Sequence, residues 1–80
     1  MTTTEQVYEV VKTIGKGRLA QVELTPVMTL REELQLDSLD ISELLVLTED
    51  TFKIRVNPYD FANIDTLAGM IAYIEAKCAA

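Results

Sequence analysis

The chain contains no histidine, no tryptophan and a single cysteine, Cys78. Without an imidazole, neither a Ser-His-Asp triad nor a Cys-His pair can be assembled from it. One thiol and no histidine argue against a zinc site. One thiol also cannot close an internal disulfide, which excludes a disulfide-stapled scaffold. No apolar run approaches the roughly 20 residues that cross a bilayer. Positive charge is scarce as well: 7 Lys and Arg stand against 13 Asp and Glu, a net charge of −6. A basic face for phosphates is therefore missing, which argues against nucleic-acid binding and against docking on an anionic membrane. The start, MTTTEQVYE, has no basic region followed by an apolar one, so no signal peptide is visible. A cytoplasmic monomer is the expectation.

Eighty residues, 49% of them apolar, suit one small globular domain spanning 1–80. Val7, Val10, Val11 and Ile14 fall on one helical face, which predicts a helix over about 3–15. Thr2 with Glu5, or Thr3 with Gln6, fits a capping box at its start. Residues 16–36 have no sustained period, yet they are rich in Leu and Val. A loop of that length in a compact domain is expected to be pinned to the core. The strongest helix is predicted over about 38–52, with Asp37 or Ser38 as its cap and Leu44, Leu45 and Phe52 facing inward. A short helix near 59–63 and a last one to about Lys77, capped by Asp65 or Thr66, complete the reading. The fold class is all-α, with three main helices, one short helix and a long first loop.

The stretch Leu36-Asp37-Ser38-Leu39-Asp40 opens the strongest helix. Together with Glu43-Leu44, Glu49-Asp50 before Phe52, Ile64-Asp65-Thr66-Leu67 and Tyr73-Ile74, it resembles the acyl carrier proteins over essentially the whole chain. The resemblance implies a four-helix bundle of the acyl-carrier type. It implies that Ser38, flanked by Asp37 and Leu39, bears a covalent 4′-phosphopantetheine added by a phosphopantetheinyl transferase. The chain would then be a carrier and not an enzyme, with no catalytic and no metal-binding residues of its own. Elementary chemistry agrees, because a helix N-terminus suits a phosphate and no base lies beside Ser38 to make it a nucleophile. A start at Met1 fits a free-standing carrier.

Between Glu32 and Thr51 lie seven acids and no base (Glu32, Glu33, Asp37, Asp40, Glu43, Glu49, Asp50). Such a stretch repels itself and attracts basic partners. The resemblance implies a docking face that includes Asp40, Ile41, Glu43, Val46, Glu49 and Asp50, beside Leu39. Ile41 reads equally well as core. The implied partners are the transferase, ketosynthases, acyltransferases and other acyl-processing enzymes. Calcium-loop spacing is absent around Asp37. Three positions depart from the family pattern: Gln35 where glycine is usual, Ser42 where an apolar residue is common, and Thr48 where an aliphatic side chain is usually buried. With the basic corner Gly15-Lys16-Gly17-Arg18, they favour a polyketide or other specialised pathway over housekeeping fatty-acid synthesis. Peptidyl, aryl or D-alanyl carriers, and an unmodified acidic helical adaptor, are the alternatives.

Overall fold

The computed structural model describes residues 2–19 and 21–79. Helix α1 spans Thr3–Gly15, α2 Ser38–Phe52, α3 Pro58–Ala62 and α4 Leu67–Ala79. One 3-10 turn, Lys16–Arg18, follows α1. Among the described residues no strand forms; a lone bridge joins Thr29 to Thr66.

Each helix starts where its sequence supplies a side-chain acceptor. Thr2 caps α1: the Glu5 N–H donates to its hydroxyl, and the Thr2 N–H donates back to the Glu5 carboxylate, both at 3.1 Å. The backbone and hydroxyl contacts with Thr2 favour the charged carboxylate and hold the Glu5 pKa below its ordinary value. Asn57 caps α3, with Pro58 as the first helical residue. Thr66 accepts the Gly69 N–H at 3.1 Å at the head of α4.

The helix ends are equally local. Lys53 closes α2 in the left-handed conformation (φ 56°, ψ 47°). Gly15 closes α1 under the side chain of Leu19, where a Cβ would lie 2.9 Å from the Leu19 Cβ and nearer still to the rest of that side chain. Only glycine lets Leu19 fold back this tightly.

The core draws on every segment. Val7, Val10 and Val11 of α1 meet Leu44 of α2, Phe61 of α3, and Leu67, Met70 and Ile74 of α4, all of them buried. Each such aliphatic or aromatic side chain contributes about 1.5–3 kcal/mol by burial. The long first loop adds Leu19, Leu24, Leu30, Leu34 and Leu36 to the same cluster, so it is pinned as expected; Val27 alone of its large apolar residues is strongly exposed.

Hydrogen bonds finish the attachment of the loop. The Leu30 N–H donates to the Asp65 carbonyl at 2.8 Å, and Leu67 and Ala68 N–H donate to Met28 and Pro26. Arg31 reaches the carbonyls of Ala62 (2.8 Å) and Ile64 (3.2 Å). Arg18 reaches those of Leu34 and Gln35. Two arginines thus clamp the loop from opposite ends.

The inward face of α2 is rotated from the expected one. Ile41, Leu44 and Thr48 are buried, whereas Leu45, Leu47 and Phe52 are only partly covered. Contacts of α2 with both α1 and α3 set that register, and period alone could not choose between adjacent stripes.

Candidate functional site at the head of the second helix

Ser38 is the first residue of α2, and its side chain is exposed. It is not the cap. Asp37 is: the Asp40 N–H donates to Asp37 Oδ1 at 2.8 Å, and the Asp37 N–H donates to Asp40 Oδ2 at 3.2 Å. The capping duty that could have absorbed the Ser38 hydroxyl falls on its neighbour. The N–H groups of Ser38 and Leu39 find no backbone or side-chain acceptor among the described residues. They remain free for an anion at the helix N-terminus.

Charge around Ser38 is mixed. Asp37 and Asp40 lie beside it, and Arg18 sits 3.6 Å from the Asp40 carboxylate. A groove of about 270 Å³ opens next to Ser38 between α2 and α3, with Ile41, Leu45, Pro58 and Phe61 among its walls and Arg31 at its side. Arg31 thus shares this groove with Ser38, while Arg18 faces Asp40.

Gln35 stands two residues before the Asp37 cap, in the turn that enters α2. It holds φ 56°, the left-handed conformation that glycine adopts without strain. The loop keeps a left-handed residue here without a glycine to supply it. Its carbonyl accepts from Arg18 at 3.0 Å, which anchors the turn.

The expected docking residues separate into three groups. Leu39, Glu43, Val46 and Asp50 recur at i, i+4, i+7 and i+11 and share one outward stripe. Leu39 is 67% exposed and Val46 64%, large values for apolar side chains. A shallow groove of about 430 Å³ runs along this stripe, bounded by Glu43, Val46, Asp50 and, from α1, Ile14. Asp40 and Glu49 are engaged instead within the fold. Asp40 serves the cap and faces Arg18, and Glu49 Oε2 accepts the Val56 N–H at 2.8 Å across the turn after α2. Of the two readings open for Ile41, docking contact or core, the structure has the second: it is 8% exposed and belongs to the core. Position 41 lies on the face opposite Leu39 and Val46, so it is not part of that stripe, and its remaining exposed surface lines the groove beside Ser38.

The repulsion expected among the seven acids is also reduced. Glu33 accepts the Thr29 N–H at 3.1 Å, and Asp37, Asp40 and Glu49 are engaged as above. Only Glu32, Glu43 and Asp50 lack a hydrogen bond or ion pair among the described residues. Sequence reasoning also missed Arg18 and Arg31 as organisers of the site; nothing local in the sequence points from either to carbonyls 16 to 33 residues away.

Residues 6–74 match the family described as the phosphopantetheine attachment site. The chain belongs to that family. It is a carrier of covalently held phosphopantetheine and not an enzyme. Its fold is that of a solved structure of a candidate acyl carrier protein from Mycobacterium tuberculosis, with a TM-score of 0.85 at 23% identity, over 94% of this chain and 97% of that one. The head of α2 fits the group: an exposed hydroxyl and two free N–H groups, with Arg31 on the adjoining groove, suit a phosphodiester. When bound, phosphopantetheine supplies a thiol on a long arm, on which groups travel as thioesters.

Proposed function

We propose that Ser38 bears the phosphopantetheine arm, that the arm carries acyl intermediates as thioesters, and that the chain presents them to the enzymes of an acyl-processing pathway. The carrying observation is the division of labour at the head of α2: Asp37 caps the helix, so the Ser38 hydroxyl is free and exposed. Leu39, Glu43, Val46 and Asp50 form the docking stripe. Its alternation of apolar and acidic side chains suits partners with basic, partly apolar patches, as expected for a phosphopantetheinyl transferase, ketosynthases and acyltransferases. A polyketide or other specialised pathway is the favoured setting, supported by Thr48, which puts a hydroxyl in the interior where a carrier of plain alkyl chains gains from an aliphatic residue.

Incubation with coenzyme A, magnesium and a promiscuous phosphopantetheinyl transferase tests this directly. The wild-type mass should rise by one phosphopantetheine, and Ser38→Ala should gain none. Because Asp37 is the cap, Ser38→Ala should change stability by no more than about 0.5 kcal/mol. An arm appearing on the Ala variant, or none on the wild type, overturns the assignment. Protein recovered from its host should bear an acyl mass on the thiol; an aminoacyl mass would replace the acyl reading with a peptidyl one.

A further inference from the structure

Thr48 is 0% exposed, and its hydroxyl has no hydrogen-bond partner among the described residues. Buried hydroxyls are nearly always paired, because stripping one of water without replacement is unfavourable. A helical threonine has a ready solution in the carbonyl four residues back. Thr13 of α1 takes it, donating to the Glu9 carbonyl at 2.8 Å, although it is exposed and has solvent available. Thr48, which has no solvent, makes no such bond to Leu44.

The position of Thr48 links it to the groove beside Ser38. Ile41 and Leu45 line that groove. On a helix, 41, 45 and 48 share one stripe, so Thr48 is the next residue of the same face, about one turn beyond the lined end. It lies ten residues from Ser38, about 15 Å along the axis. The remainder of the buried face is aliphatic, with Ile41 and Leu44 its other members. A chain entering beside Ser38 and following α2 inward passes apolar surface and then meets one polar atom.

We propose that Thr48 is a specificity-determining residue: it hydrogen-bonds an oxygenated acyl chain, bearing a keto or hydroxyl group, that lies between α2 and α3. This rests on the acyl-carrier reading above and adds the chemical class of the cargo. The threonine hydroxyl donates to a keto oxygen or accepts from a hydroxyl. A fully reduced alkyl chain leaves it unpaired. Discrimination arises because a polar site rejects an analogue that cannot satisfy it.

The test uses the full-length holo protein, its arm first confirmed by mass, loaded with octanoyl, 3-oxooctanoyl or 5-oxooctanoyl groups. In the wild type, at least one oxo chain should raise the melting temperature about 4 °C or more above the octanoyl form. The amide resonances of Leu44, Leu45 and Thr48 should shift more with that chain than with octanoyl. Thr48→Val, which keeps the shape and removes the hydroxyl, should stabilise the unloaded protein and abolish the preference. Thr48→Ser should retain the preference. Equal melting of octanoyl and both oxo forms in arm-bearing wild type overturns the proposal while leaving the carrier reading intact. So does a Thr48→Val variant that melts below wild type when unloaded, because the hydroxyl would then have a partner of its own. Failure to take up the arm at all overturns the carrier reading and this one with it.

Discussion

Gln35 holds φ 56° in an exposed turn, a conformation in which its Cβ crowds the backbone. The left-handed region disfavours L-residues by about 1–2 kcal/mol relative to glycine. Replacing Gln35 with Gly removes that strain and widens the unfolded ensemble, an opposing effect of about 0.4–1 kcal/mol. Little else changes. The side chain is exposed, and the contact that anchors the turn is the Gln35 carbonyl on Arg18 at 3.0 Å, which glycine retains. The net expectation is a gain of about 0.5–1 kcal/mol, or a rise of roughly 3–6 °C for a domain of this size. Gln35→Ala separates strain from side-chain loss. It keeps a Cβ at positive φ, so its melting temperature should stay close to wild type. Gln35→Val should fall below both, because a branched Cβ tolerates this region least. Thermal and urea melts of the four proteins provide the measurement. If Gly melts no higher than wild type, or Ala rises as far as Gly, then backbone strain at Gln35 is not what limits stability.

Two other outcomes follow from the same geometry. Glu43→Lys with Asp50→Lys reverses the two acids of the docking stripe that have no partner within the fold. The rate constant for modification by a phosphopantetheinyl transferase should then drop about tenfold at low salt, with the gap closing as salt rises; equal rates at low salt would remove the steering role. Glu5 has a pKa lowered by its bonds with Thr2, so its contribution is present above the unfolded glutamate range and is lost as pH falls through the folded value. Glu5→Gln can keep the capping box while removing the titration, so its melting temperature should decline less than wild type between neutral pH and about pH 3.5. Parallel declines would mean that the Glu5 contacts do not distinguish its two protonation states.

Short-range chemistry made much of this protein legible before its fold was known. Helix starts were readable because Thr2, Asp37 and Thr66 act on N–H groups a turn away. The motif around Ser38 was readable for the same reason, and it led to the family and to the serine that opens α2. The absence of histidine and the shortage of positive charge excluded whole classes of chemistry without any coordinates. What remained open depended on groups distant in sequence. The sequence left Ile41 open between the docking face of Leu39 and Val46 and the core, and only the packing of α2 against α1 and α3 turned Ile41 and Thr48 inward. The seven acids looked alike in the chain; tertiary contact gave Asp40 an arginine and Glu49 a backbone amide, and left Glu43 and Asp50 to solvent. The long loop announced its burial through its leucines. Its path could not be read, because it is held by Arg18, Arg31 and the head of α4, partners brought within reach only when the bundle closes.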